Sequence, residues 1–154
     1  MQPQDVYNRG YDATITALNR WIATLSDVAA IECEQTAGYW RVRICPFERN
    51  ACAAELMVSR QQTFDLEVAN EGMLGEKVAD FSLFQPLLEA IARGNAVCRT
   101  WSAMATGSDL MREVIVKMAD GREWSMSRIV TAGTAATELS AVANDRVFVA
   151  YRRA

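Results

Sequence analysis

Residues 112–128, with the sequence REVIVKMADGREWSMSR, constrain the fold more than any other stretch because they predict a β-hairpin. Two runs of alternating residues flank a turn at residues 119–121. A two-residue loop would mix polar and apolar side chains on both faces of the hairpin. A three-residue loop that ends in Gly121, with left-handed backbone, sets Val116 opposite Trp124 and makes one face apolar. The sequence therefore predicts the three-residue loop and a sheet with one buried face.

The same register leaves an unbalanced pair of positive charges. Arg112 faces Arg128 at the open end of the apolar face, just beyond Val114 and Met126. Like charges directly opposite each other destabilise a sheet. Either the strands fray at this end, or an internal carboxylate or a bound anion lies between the two arginines. The second alternative includes a ligand site formed by Arg112 and Arg128 and covered by Trp124.

Two further hairpins are predicted, one from residues 31–44 and one from the pair of segments 54–58 and 64–68, with a helical turn over residues 53–58 as an equal alternative to the first strand of the second hairpin. In the first hairpin, a turn centred on residues 37–38 makes one face apolar. It also sets opposite charges against each other on the other face, Glu32 with Arg43 and Glu34 with Arg41. Such pairs contribute about 0.2–1 kcal/mol each, so they specify register more than they stabilise.

Two helices are predicted from apolar residues that recur at steps of three and four. The first covers residues 3–26 and presents one apolar stripe, formed by Tyr7, Tyr11, Ile15, Leu18, Ile22 and Leu25. The second covers residues 82–93. Ser82 and Gln85 resemble a capping box at its start, and Gly94 suits the position after its end.

The remaining segments complete a meander. Residues 70–79 contain two glycines and predict a flexible loop, whereas residues 96–104 and 110–118 predict strands. Residues 131–143 are rich in Ala, Thr and Ser and predict a loop or a weak helix. Residues 147–151 (VFVAY) predict a last strand. An outlying edge strand of this kind can pair with a second copy, which makes a homodimer an expected form.

These elements predict an α+β fold, in which a curved, mainly antiparallel sheet carries the N-terminal and central helices on one face as a two-layer sandwich. The length of 154 residues predicts a single domain over residues 1–154 that is large enough to need no disulfide or metal for stability. The order of elements is broadly similar to that of small acidic bacterial secretion chaperones, but no motif assigns the chain to that family.

The composition excludes several kinds of chemistry. The chain has no histidine, and so lacks the commonest general base and metal ligand, although carboxylates, Cys or Tyr can still act in catalysis. Four cysteines without paired spacing predict reduced, mostly buried thiols, with no metal or other cofactor: Cys33, Cys45, Cys52 and Cys98. The N-terminus lacks the pattern of a secretory signal, and no apolar run approaches about 20 residues, which predicts a cytoplasmic protein without membrane contact.

The charge balance argues against nucleic acid as a partner. The chain has 16 basic and 19 acidic residues, a net charge of −3, and only two of the basic residues are lysines, Lys77 and Lys117. Binding to phosphate backbones requires an uncompensated basic surface. The sequence therefore predicts a binding or adaptor-type protein without catalytic residues, with a protein partner or a second copy as its target. The alternative is a protein or unusual enzyme that binds a small anionic ligand in a pocket between helices and sheet.

Overall fold

The computed structural model describes residues 2–130 and 141–152, and within these ranges the chain forms two helices and nine strands. The helices are α1 (Gln4–Ile22) and α2 (Phe84–Ala92), and short 3₁₀ turns follow α1 and precede α2. The strands are β1 (Ala29–Gln35), β2 (Tyr39–Pro46), β3 (Ala54–Ser59), β4 (Thr63–Val68), β5 (Glu71–Lys77), β6 (Ala96–Ala103), β7 (Asp109–Lys117), β8 (Glu123–Ile129) and β9 (Ala141–Val147). Neither described helix is long and apolar enough to span a membrane.

The strands form two antiparallel sheets, which confirms the α+β class. The five-stranded sheet has the order β1-β2-β3-β4-β5, and the four-stranded sheet has the order β8-β7-β6-β9. The predicted sheet is thus divided into two. A parallel bridge between Ala51 and Val149 also joins the segment before β3 to the segment after β9.

Helix α1 packs on the five-stranded sheet through the apolar stripe that the sequence predicts. All six residues of that stripe are buried. Two polar contacts fix the helix on the sheet: the Nε1 of the buried Trp40 donates to Asn19 Oδ1 at 2.9 Å, and the Tyr7 hydroxyl donates to the Ser59 carbonyl at 2.6 Å. The tight packing thus leaves neither of these buried donors unsatisfied.

Helix α2 lies between the two sheets. Its Phe84 ring packs edge-on against Phe64 of β4 with centroids 5.1 Å apart, and the helix also contacts β7. The predicted cap at Ser82 is wrong because the Asp80 carboxylate instead accepts a hydrogen bond from the Ser82 backbone N–H. Gly94 does follow the helix end with left-handed backbone, as predicted. The buried residues of both helices and both sheets form one hydrophobic cluster.

All three predicted hairpins are confirmed, two of them residue by residue. In β7–β8, Val114 pairs with Met126 and Val116 with Trp124, and Gly121 has a φ of 91°. In β1–β2 the predicted facing pairs are also present, including Glu32 with Arg43 and Glu34 with Arg41. Glu34 and Arg41 form an ion pair, with 3.9 Å between their charged atoms. The guanidinium of Arg43 instead lies 3.8 Å from Glu55 of β3.

The predicted flexible loop at residues 70–79 is wrong, because this segment contains strand β5. Ala69 and Asn70 form a two-residue turn with left-handed backbone (φ 55° and 66°), and Val68 then pairs directly with Glu71. This turn type matches the twist of hairpin strands but usually contains Gly, so its residues gave no signal in the sequence. A register shift in the middle of the pair accommodates the irregular glycine-containing strand.

The predicted last strand at residues 147–151 is also misplaced. The strand that pairs with β6 is β9, and it ends at Val147. Every residue of β9 is exposed, so this edge strand lacks the apolar alternation by which strands are recognised. Phe148, which follows the strand, is buried in the core. The prediction of a loop or weak helix over residues 131–143 is wrong for residues 141–143, which belong to β9, and its remainder falls on residues 131–140, which lie outside the described residues.

Candidate functional site

Glu71 is a buried carboxylate that links the two sheets. It is the first residue of β5, and only 6% of its side chain is exposed. Its Oε2 accepts a hydrogen bond from Arg128 Nε at 2.7 Å, and its Oε1 accepts one from Arg128 Nη2 at 3.0 Å. Arg112 Nη1 donates a longer bond to the same Oε1 at 3.4 Å. One carboxylate of the five-stranded sheet therefore binds two arginines of the four-stranded sheet.

This arrangement explains how two arginines tolerate facing positions. Arg112 and Arg128 lie directly opposite each other on β7 and β8, as the sequence predicts. Glu71 is the internal carboxylate that the charge argument allows between them, and Asp109 adds a second contact, at 3.2 Å from Arg112 Nη2. The ligand-binding role of Arg112, Arg128 and Trp124 stays a prediction.

The electrostatics keep Glu71 ionised at neutral pH. The hydrogen bonds from Arg128, and more weakly those from Arg112, lower the pKa of the Glu71 carboxyl, although burial opposes this shift. The hydrogen bonds to Glu71 also raise the pKa of the Arg128 guanidinium, whereas the pKa of the Arg112 guanidinium is raised first by Asp109 and then by Glu71. Glu71 is therefore negatively charged at neutral pH, and it is suited to bind cations rather than to exchange protons.

A cleft of about 420 Å³ opens beside this ion cluster, between the β4–β5 turn and the strands β6, β7 and β9. Its lining is mostly polar and consists of Ala69, Asn70, Glu71, Cys98, Thr100, Arg112, Asn144, Asp145 and Arg146. The strand register brings these groups together: Thr100 of β6 pairs with Arg112 on one side and with Asn144 on the other, and Cys98 pairs with Arg146. The cleft therefore collects side chains from both sheets.

Arg146 is the cation of this cleft that has no carboxylate partner among residues 2–130 and 141–152. Its guanidinium lies over the Phe148 ring, 4.7 Å from the centroid, and its side chain is exposed. Asp145, the adjacent residue, pairs instead with Arg99 at 2.7 Å. The stacked ring orients the Arg146 guanidinium while leaving its N–H groups available.

The three residues that the sequence predicts to bind a ligand differ in their position relative to the cleft. Arg112 lines the cleft, whereas Arg128 is not part of the lining but binds Glu71, which is. Trp124 is 9% exposed and belongs to the hydrophobic core, so it does not line the cleft. Sequence reasoning missed Glu71 and Arg146 because the first lies in the segment predicted as a loop and the second in a strand without apolar alternation.

The cysteines do not form a site among the described residues. All four are free thiols, but the prediction that most are buried is wrong, since Cys33 and Cys45 are exposed and Cys98 is half-buried. Burial raises the pKa of Cys52 to about 12 and also raises the pKa of Cys98 in the cleft. These two thiols are therefore protonated at neutral pH and are poor nucleophiles. Within the described ranges, no group of three Cys, Asp or Glu side chains is placed to hold a metal ion.

Comparison of the chain with family models, with curated proteins and with solved structures finds no match. The side chains of the cleft and of the sheet surfaces are therefore the guide to function.

Proposed function

We propose that this protein is a binding protein rather than an enzyme, and that the cleft between its sheets holds a small anion with a carboxylate or phosphate group. The observation that carries the proposal is the presence of Arg146, without a carboxylate partner among the described residues, in the same cleft as Arg112. Guanidinium groups present paired N–H donors that match the oxygens of carboxylates and phosphates. Asn70 and Asn144 add amide donors at the edge of the same cleft.

The way the charges of the cleft are paired supports an anion. Arg112 and Arg146 line the cleft together with Glu71 and Asp145, so the formal charges of the lining balance. Both carboxylates are already engaged, because Glu71 accepts hydrogen bonds from Arg128 and Asp145 accepts them from Arg99. Among the described residues, the guanidinium of Arg146 is therefore left to attract a negative ligand.

The ionisable groups of the cleft support binding without catalysis. A general acid or base acts best with a pKa near the working pH. The pKa of Glu71 is lowered by its arginine partners, and the pKa of Cys98 is raised chiefly by burial. Both shifts move the groups away from neutrality, and the chain contains no histidine. A cytoplasmic location also stays a prediction.

Thermal unfolding with added anions tests the proposal. Inorganic phosphate and succinate represent the two ligand classes, and sodium chloride at equal ionic strength controls for screening. We expect at least one of the two anions to raise the Tm of the native sequence, and the Arg146→Gln variant to lose that rise. Arg20→Gln, on the exposed side of α1, is the matched control. Equal responses of the native chain and Arg146→Gln would contradict the proposal, as would no response to either anion.

A second candidate function is that of an adaptor that binds another polypeptide. On strands β1–β4 the face away from the helices is charged, as a solvated face should be, and carries Glu32, Glu34, Arg41, Arg43, Glu55, Asp65 and Glu67. The corresponding face of the four-stranded sheet mixes apolar and polar side chains, and its Ile129 and Val147 are exposed by 65% and 66%. Apolar surface on an uncovered face commonly marks an interaction site. The two functions are separable because the cleft depends on Arg146, whereas an adaptor surface depends on these apolar side chains.

A further inference from the structure

The outer face of the four-stranded sheet is the face that points away from the core. Val114 and Val116 of β7 are fully buried on the inner face, towards α2. Because successive side chains of a strand point to opposite sides, Glu113 and Ile115 project from the outer face. Ile115 is half-buried although it projects away from the core, since its cross-strand neighbours cover it in part.

The outer face has an ordered pattern of three rows that run across the strands. The first row begins with Ser125 on β8 and continues with three apolar residues, Ile115, Val97 and Val147. The third row is also apolar and contains Ile129, Met111 and Trp101. The middle row carries charge, because Arg99 lies 3.8 Å from Glu113 on one side and 2.7 Å from Asp145 on the other. One cation between two anions thus separates two apolar rows.

We propose that this outer face binds the same face of a second copy of the chain. The pattern is self-complementary under a two-fold axis that runs parallel to the strands and passes between β6 and β7. This axis exchanges β6 of one copy with β7 of the other, so Arg99 of each copy lies opposite Glu113 of its partner. It also sets Val97 opposite Ile115, so apolar residues meet at the centre of the contact, whereas Val147 of β9 lies opposite Ser125 of β8 at its edge. Symmetric dimers require a surface that matches itself in this way.

Charge selects the outer face over the equivalent face of the five-stranded sheet. That face carries more carboxylates than arginines, and Glu55 already lies opposite Glu67 within one chain. Two such surfaces would repel each other on contact. Aligned packing of two sheets face to face, about 10 Å apart, is a common arrangement.

The size of the outer face predicts a reversible dimer. Four strands at about 4.8 Å spacing and seven residues at about 3.3 Å rise give a flat area on the order of 450 Å². Stable complexes bury about 800 Å² of accessible surface per partner. Side chains add to this area, but the surface buried per partner stays near the lower end of what stable complexes bury. We therefore expect an association that depends visibly on protein concentration.

Sedimentation velocity over a wide concentration range tests the assignment. We expect the native chain to dimerise and Ile115→Glu to weaken the dimer at least about tenfold, because the new carboxylate interrupts an apolar row. Met57→Glu, on the outward side of β3, is the matched control and should dimerise normally. Circular dichroism shows whether each variant is folded. A native chain that is monomeric at all concentrations would overturn the proposal and leave the face to a different partner. Equal loss of the dimer in both variants would also overturn it.

The charged row provides a second test that an unspecific apolar contact would not pass. All variants of this set carry Asp145→Asn, so that the new carboxylate has no anionic neighbour on β9. In that background Arg99→Glu should weaken the dimer by setting two carboxylates against each other across the axis. Adding Glu113→Arg should restore it, since opposite charges face each other again. Failure of the second change to restore the dimer contradicts the proposed axis. The cleft is on the inner side, so anion binding is independent of this result.

Discussion

Arg128 donates two hydrogen bonds to the carboxylate of Glu71, from Nε at 2.7 Å and from Nη2 at 3.0 Å. The two residues belong to different sheets: Glu71 begins the edge strand β5, and Arg128 lies near the end of the edge strand β8. The paired geometry fixes the relative orientation of the two strands as well as their distance. The contact is therefore one of the polar links that hold the five-stranded and four-stranded sheets together.

We predict that Glu71→Gln destabilises the protein by about 1.5–3 kcal/mol, the range for hydrogen bonds to charged groups. Glutamine keeps the volume but removes the charge that balances Arg112 and Arg128. The loss is measured as the change in the free energy of unfolding in urea. Glu67→Gln is the control, because Glu67 is exposed on the opposite face of β4. A Glu71→Gln variant as stable as the control would show that the link between the sheets contributes nothing.

The contribution of Glu71 should also depend on pH in a defined direction. Its pKa in the folded protein lies below the ordinary value of 4.5. A group with a lowered pKa stabilises the folded state above its unfolded pKa, and this stabilisation is lost as the pH falls through the folded pKa. The difference in unfolding free energy between the native chain and Glu71→Gln should therefore be constant above about pH 5.5 and should shrink below about pH 4.5. A difference that grows on acidification would reverse the assigned sign.

The hairpins could be predicted from the sequence because the correct register of each one places apolar side chains on one face of the sheet and polar side chains on the other. In β7–β8 a slip of one residue would turn Trp124 to solvent, and the structure has it buried opposite Val116. The same argument holds for β1–β2, where the buried Val42 faces Cys33. The stripe of α1 is equally clear, since all of its members are buried. Local periodicity thus specifies elements that have one buried and one exposed side.

The candidate cleft could not be predicted because it is formed by segments without this separation of apolar and polar faces. Strand β5 follows a turn at Ala69 and Asn70. Both residues have left-handed backbone although neither is a glycine, so the sequence did not indicate the turn. Every residue of strand β9 is exposed, so the sequence pattern did not show that Arg146 lies in a strand. The sequence did identify the opposed arginines, Arg112 and Arg128, and left fraying of the strands or an anion between them as the two ways to accommodate them. It could not identify that anion as Glu71, because the contact joins two sheets and depends on tertiary packing.

We predict that Gly94→Ala is considerably more destabilising than Gly121→Ala, although both glycines have left-handed backbone. At Gly121 an added Cβ would meet no atom within 4 Å, so the cost is the backbone conformation alone, about 1 kcal/mol. At Gly94 the Cβ would lie 2.7 Å from the Ala150 N and 2.8 Å from the Val149 carbonyl carbon. Overpacking against backbone adds about 1–3 kcal/mol. Urea unfolding of both variants measures the difference, and equal losses would exclude close packing of the C-terminal segment on the end of α2.

The rate of thiol modification should distinguish the buried cysteine from the exposed ones. Cys52 is fully buried and its pKa is about 12, so at about pH 8 only about one molecule in ten thousand carries the thiolate. Because the thiolate is the reactive form, Ellman's reagent should leave Cys52 unmodified in the folded protein. Cys45 is exposed and should react readily, and after unfolding in urea all four thiols should react. Mass spectrometry of digested samples assigns each modified position. Modification of Cys52 in the folded protein at the rate of Cys45 would contradict the packing of the segment between β2 and β3.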